Sequence, residues 1–311
     1  MVSIIIPCFN YSRFLPDAID SALGQAGPNL PVEVLVVDDG STDDTAAVAA
    51  RYGDRIRYVY QANAGLSAAR NTGMREASYD LVVFLDADDM LPRGSLATVL
   101  AARERATPTP AVLGGRTFPF HTDAVPMGPL PGESDIVRAV TARELVVRNR
   151  FDCTVLANRK VLLGLGGFDT TLRASEDRDM WIRAAAGHPV AMHGRYVLLR
   201  RMHAASMSCI SRQQTASIER VLEKAFSNPE LHLADHDRRL ARAVCWYQSA
   251  LMHAEAGEHV MAARQMLRSI FHCPLARLKD AAILPFSRVR GLAGIVLSAF
   301  RKAPRSESAK N

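Results

Sequence analysis

Aromatic residues are scarce in this 311-residue chain, where Phe, Tyr and Trp together make up 6%. The basic side chains are not interleaved with aromatic ones, and a surface that reads nucleic acid by stacking and phosphate contact needs both. Nucleic acid is therefore set aside as a partner. Cysteine is also sparse. Cys8, Cys153, Cys209, Cys245 and Cys273 are odd in number and form no Cys-x-x-Cys pair, which supports neither a zinc site nor a disulfide framework. A reducing cytosol fits this usage. No run of 18 apolar residues occurs, so no membrane-spanning helix is expected. The nearest candidate, residues 283–300, is interrupted by Arg288 and Arg290. The opening MVSIIIPCFN has a short apolar run without a basic flank and is not expected to act as a secretory signal.

What is present is ordinary for a folded protein: 48% hydrophobic and 23% charged residues, in a chain long enough for one large α/β domain and an appendage. The net charge of +6 is unevenly placed. Residues 259–311 carry ten Lys/Arg against two Asp/Glu, and the rest of the chain is slightly acidic. A basic tail fits an anionic surface nearby or, equally, a solvated arginine-rich helical face. The stretch Leu284–Lys302 mixes apolar and basic residues and could lie in a membrane interface, with packing as a core helix as the competing view.

Along the first half, strand and helix patterns alternate. Val2–Ile6 and Val32–Val37 read as buried strands, Ile56–Tyr60 and Leu81–Leu85 as a third and fourth strand, and Phe14–Gln25, a segment capped by Ser41 or Thr42 and running to about Tyr52, and Leu66–Ala77 read as helices. This order predicts a parallel sheet covered on both faces, with ligands bound beyond the carboxyl ends of the strands. A helix over 94–105, a strand over 111–115, a long loop over 119–135, a helix over 141–149, a short strand over 153–157, a helix over 176–186 and a strand or strand pair over 190–199 follow. Beyond Arg212 the pattern is purely helical, with a helix–turn–helix pair turning at Gly257.

The polar motifs fall at the predicted strand ends. Pro7-Cys8-Phe9-Asn10 follows the first strand and Asp38-Asp39-Gly40-Ser41 the second. A carboxylate there can accept from a nucleobase N–H or ribose hydroxyls, or simply shape a turn. Asp86-Ala87-Asp88-Asp89 follows the fourth strand. Three carboxylates in four residues repel one another, and a divalent cation such as Mn2+ or Mg2+ relieves that cost. Capping needs only one carboxylate, so the cluster favours a metal. Gly65–Gly73 opens a helix with small residues, and its Arg70 could meet a phosphate or pair with an acidic motif. Glu176-Asp177 begins a helix that also carries Trp181, and a carboxylate there could act as a general base or sit as a solvated helix start. His203 could be a metal ligand or a structural histidine.

Taken together and in this order, these motifs resemble family 2 glycosyltransferases of the GT-A fold over about residues 1–210. The resemblance rests on residues 4–10, 36–41, 65–71, 85–89, 166–169, Glu176-Asp177 and His203. It implies an α/β, mostly parallel, Rossmann-like sheet. It further implies that Pro7, Phe9, Asn10, Asp39, Gly65 and Arg70 bind the nucleotide, with Asp86 toward the ribose. Asp88 and His203 would hold a divalent cation, Asp177 would be the base, and Asp38, Asp89, Glu176 and Trp181 would support them. The implied reaction is an inverting transfer from a nucleotide-diphosphate sugar, a UDP-sugar first, to a glycan or lipid-linked acceptor in surface or secreted polysaccharide synthesis. The expected organisation is a transferase domain over 1–211, with a nucleotide half to about 115 and an acceptor half after it. A helical extension over 212–311 ends in the basic tail, a possible peripheral membrane contact at the cytoplasmic face. Two alternatives stand beside this. A sugar nucleotidyltransferase would carry a Gly-rich, basic phosphate loop that Pro7–Leu15 lacks, and a non-catalytic scaffold would be expected to have lost Asp88 or Asp177.

Overall fold

The computed structural model of the chain describes residues 1–121, 130–203, 211–274 and 287–302, with the side chains of 211–213, 287 and 296–302 left aside. Parts of the expected 119–135 loop, the residues just after His203 and much of the basic tail lie outside the described residues. The chain divides into two compact units, Met1–Ser206 and Met207–Asn311.

Unit one is built on one eight-stranded sheet. Its strands are β1 (Val2–Cys8), β2 (Val32–Asp38), β3 (Arg57–Tyr60), β4 (Leu81–Phe84), β5 (Val112–His121), β6 (Val137–Ala139), β7 (Leu156–Asn158) and β8 (Val190–Met202), in the order β3-β2-β1-β4-β7-β5-β8-β6. β1, β2, β3 and β4 are parallel, and β7 pairs antiparallel with β4 and β5. The continuous apolar run of β1 is buried at every residue, as a strand covered on both faces requires. Val2, Ile4, Ile6 and Cys8 share one cluster with Leu15, Ala18, Ile19 and Ala22 of α1 (Leu15–Leu23). On the opposite face Ile5 meets α3 (Leu66–Glu76). A Cβ placed on Gly73 of α3 would stand 2.3 Å from Ile5 Cγ2, so this helix approaches the sheet only because residue 73 has no side chain. The parallel sheet clad on both faces was thus readable from periodicity.

Other expectations needed correction. The strand expected over 111–115 runs on to His121, because β8 offers a parallel partner along its whole length. This takes Pro119 and Phe120 out of the expected loop. The short strand expected over 153–157 lies at Leu156–Asn158. Strand β6, three residues with two exposed, and the short helix α6 (Arg159–Gly164), capped by the Asn158 side chain, carried no pattern long enough to read. Ser41 and Thr42 do not cap α2 (Thr45–Ala50). Asp43 instead accepts from the Thr45 N–H at 3.0 Å. The remaining helices of unit one are α4 (Ser95–Arg105), α5 (Ala142–Val147) and α7 (Glu176–Gly187). α5 begins with a reciprocal Thr141–Glu144 capping box.

Unit two is helical, with α8 (Ser211–Ser227), α9 (Asp235–Glu255), α10 (His259–His272) and α11 (Ser287–Lys302). α9 and α10 form the expected hairpin, with Gly257 at φ +76° in the turn. Ala250, Ala262, Met266 and Ile295 make its apolar cluster. Buried Arg288 donates to the carbonyls of Ser269, Cys273 and Pro274, which ties α11 to the end of α10.

Candidate functional site

The first part of the site is the turn after β2. Asp38 is buried; its Oδ1 accepts from the Ser41 N–H and its Oδ2 from the Tyr58 hydroxyl. Its role in this structure is to fix the turn. Asp39, also buried, accepts from the Gln61 side chain at 2.6 Å and from the Ala64 and Gly65 N–H groups at 2.9 and 2.8 Å. The carboxylate thereby sets the loop that leads into α3, where Gly65 stands at φ +90°. Gly40 between them has φ +79°, and a Cβ there would sit 2.7 Å from the Asn63 nitrogen. Across from this turn Pro7 is buried, Phe9 is 45% exposed, and Asn10 takes φ +58°. Asn10 interlocks with the second turn: its N–H donates to Ser41 Oγ and its Oδ1 accepts from the Thr42 N–H. Two strand ends are thus laced into one rim, from which Phe9 projects.

The second part is the acidic turn after β4. Asp86 has a side chain 40% exposed, Asp88 16%, and Asp89 is buried. Burial and the neighbouring Asp86 push the Asp88 carboxyl above its ordinary range. Burial, then Asp88 and Asp86, push Asp89 up to about 8. The same three aspartates add to burial in raising the Tyr11 hydroxyl to about 12. Three carboxylates crowded out of water hold their protons more tightly, and this is the repulsion anticipated for the motif. His203 Nε2 lies 3.0 Å from Asp88 Oδ2, its ring against Phe14 at 4.9 Å between centroids. Among the described residues no three His, Cys, Asp or Glu side chains gather as a ready metal cage. A carboxylate and an imidazole at this spacing, backed by further carboxylates, suit a Mg2+ or Mn2+ ion that keeps water and phosphate oxygens as its other ligands. The residues fit such an ion.

Arg70 joins this turn to the third part. Its side chain is 1% exposed and donates to Asp86 Oδ1 at 2.7 Å and to Glu176 Oε1 at 2.5 Å. Of the two possibilities left by the sequence, the structure shows the ion pair. The next residue after Glu176, Asp177, is half-buried at the start of α7. It accepts from the Arg178 N–H at 2.7 Å and from the Asn149 side-chain amide at 3.2 Å. Desolvation, then Glu176 and Asp152, raise it to about 7. The helix is held from within: fully buried Trp181 packs on Phe151 and Phe168, and Arg178 donates to the Leu145 and Val146 carbonyls at the end of α5.

Several participants were not anticipated. Arg201 at the end of β8 donates from its N–H to Asp89 Oδ1, from Nε to the Asp88 carbonyl and from its second amine to Asp17. Arg200 meets Asp152 at 2.7 Å and feels Asp89 and Asp86 as well. Asn149 and Asp152 flank Asp177 from the loop after α5. The legible signal for the arginines is the pair Arg200-Arg201 two residues before His203, a counter-charge to three aspartates at a buried strand end.

Residues 3–125 match the family described as Glycosyl transferase family 2. An uncharacterized glycosyltransferase of Rickettsia prowazekii is 25% identical over 226 residues, 70% of this chain and 69% of that one. Several other curated relatives are matched over about a third or less of their own length. GlyA of Streptococcus pneumoniae, for example, is 38% identical over 101 residues, 32% of this chain and 14% of that one. The structure of S. aureus TarS 1-349 in complex with UDP-GlcNAc superposes with a TM-score of 0.65 at 17% identity, covering 96% of this chain and 91% of that one. The mannosyltransferase PcManGT of Pyrobaculum calidifontis, in complex with GDP-Man and Mn2+, gives 0.58 at 19% identity, covering 96% and 86%. At these identities the likenesses show the fold, which is GT-A.

Proposed function

We propose, from the match of residues 3–125 to the family described as Glycosyl transferase family 2, that the chain is an inverting glycosyltransferase. It moves a sugar from a nucleoside-diphosphate sugar, a UDP-sugar in our reading, to a saccharide or lipid-linked acceptor. The product would serve a surface or secreted polysaccharide made at the inner face of the plasma membrane. The observation that carries this is the Arg70 bridge. It makes one rigid unit of Asp86, on the donor side, and Glu176, which precedes the proposed base. In this reading residues to about 115 hold the donor, residues from there to 211 meet the acceptor, and 212–311 are an extension.

The donor's base would lie along the rim made by Pro7, Phe9, Asn10, Asp39 and Gly65, with the ribose toward Asp86. A divalent cation held by Asp88 and His203 would neutralise charge on the diphosphate oxygens. Asp177 would accept the proton of the acceptor hydroxyl as that oxygen attacks the anomeric carbon from the face opposite the diphosphate. Its carboxyl, raised to about 7, is basic enough to take a proton yet ionised near neutrality. Asn149 and the Arg178 N–H hold it in place, and burial with the negative charges of Glu176 and Asp152 makes it a stronger base than a free carboxylate. A titration of nucleoside diphosphates with Mn2+, read as a thermal midpoint, tests the donor. A ligand at 100 times its Kd adds about 2.7 kcal/mol to the native state. UDP should raise the midpoint in the presence of Mn2+, and no response to any nucleotide would overturn the reading.

A further inference from the structure

Helix α10 is apolar on two opposite faces. Its inner face carries buried Ala262, Met266 and Ser269; Ala262 and Met266 pack in the cluster with Ala250 and Ile295, and Ser269 donates to the Ala243 carbonyl. At about 100° per residue, Val260, Leu267 and Phe271 fall within a stripe of roughly 40° centred opposite that packed face. They are 87%, 40% and 79% exposed. Arg264 and Arg268 are exposed beside the stripe. No acidic residue occurs anywhere on α10.

A packed helix normally turns its apolar residues inward and fills its outer face with polar ones. Here a phenylalanine and a valine stand almost fully in solvent about 16 Å apart, with guanidinium groups along one flank. With Arg264 and Arg268 exposed beside it and no acidic residue on the helix, α10 itself presents only positive charge along this stripe. A second copy of the same face would set arginine against arginine. An anionic medium that also accepts apolar side chains satisfies both features, and a helix lying in a bilayer interface has this pattern. No helix among the described residues is long and apolar enough to cross a membrane, so the contact is one of lying on the surface.

We propose that the outer face of α10 docks the protein on an anionic lipid surface, with Val260, Leu267 and Phe271 entering the interface and Arg264 and Arg268 meeting the headgroups. This stands apart from the reaction assigned above and from the tail after residue 287, which the test leaves in place. The full chain is floated with vesicles of phosphatidylcholine alone and of phosphatidylcholine with 30% phosphatidylglycerol. The comparison variant is Leu267→Gln with Phe271→Gln, whose helix content and melting midpoint are checked to be native. A second variant carries Arg264→Glu with Arg268→Glu. Wild type should bind the anionic vesicles and not the neutral ones, and each double variant should bind at least about tenfold more weakly. Equal binding by wild type and the Gln variant would overturn the proposal and point to the tail. No binding by wild type would overturn it outright. A concentration-dependent dimer, lost in the Gln variant and indifferent to vesicles, would assign the face to a second copy. Binding to an acidic protein with no vesicle binding would assign it to a protein partner.

Discussion

Asp89 is the sharpest test of the electrostatics at the acidic turn. It is 5% exposed, accepts one hydrogen bond from the Arg201 N–H, and is raised from 3.8 to about 8 by burial and by Asp88 and Asp86. Between these two pH values the folded chain keeps a proton that the unfolded chain releases. Stability therefore falls as pH rises through this window, and the loss is complete above about 8. At about 1.4 kcal/mol per factor of ten the full difference is roughly 6 kcal/mol. Relaxation and water penetration around a turn that opens on solvent should reduce it to about 2 kcal/mol.

Asp89→Asn removes the ionisation while keeping an oxygen for the Arg201 N–H. In EDTA at pH 8.5 the variant should melt about 4–8 °C above the wild type, at roughly 2–4 °C per kcal/mol for a unit of this size. At pH 3, below the unfolded value of 3.8, the two should melt together. Melting curves by circular dichroism at both pH values decide the matter. A difference that does not change with pH, or a variant less stable at pH 8.5, would show that Asp89 carries no such cost. Saturating Mn2+ should narrow the gap, because a cation at Asp88 relieves the same repulsion in the wild type and less of it in the variant.

Asp177→Asn should lower transfer by at least about a hundredfold and leave the nucleotide-induced thermal shift intact. In the wild type kcat should fall about tenfold per pH unit below about 7, because protonation removes the base; a flat acid limb would remove Asp177 from that role. Arg70→Met leaves Glu176 buried without its cation and should cost about 3–5 kcal/mol in urea melts, with Arg70→Lys recovering only part of it. Gly73→Ala should destabilise by about 1–3 kcal/mol through the clash with Ile5, and Ile5→Ala in the same chain should recover less than its own cavity costs.

What the sequence disclosed and what it withheld differ in reach along the chain. Val2–Cys8 and the Asp38–Ser41 and Asp86–Asp89 turns were legible because each is local: an apolar run, then a polar residue where the strand leaves the sheet. Arg70 was undecided, since its partner Glu176 lies 106 residues away, and no local pattern distinguishes a phosphate contact from a carboxylate at that distance. Arg201 was missed for the same reason, its partner Asp17 being 184 residues away. Strand β6 and the extension of β5 to His121 depend on β8 as partner, and three residues or a Pro-containing stretch carry too little pattern to announce a strand. Yet the missing arginines had a physical signature. Three carboxylates at a buried strand end demand counter-charge, and a single cation was taken as the whole answer. In the folded chain the three acids are met in different ways. Arg70 meets Asp86, Arg201 meets Asp89 through its backbone and Asp88 through the carbonyl, and only the Asp88 carboxylate is left facing His203. Arg70 thus meets the charge of Asp86, burial keeps Asp89 protonated up to about 8, and the ion is needed for Asp88. Asp88 is consequently the carboxylate whose loss should abolish Mn2+ dependence, whereas loss of Asp86 should release Arg70 and loosen Glu176.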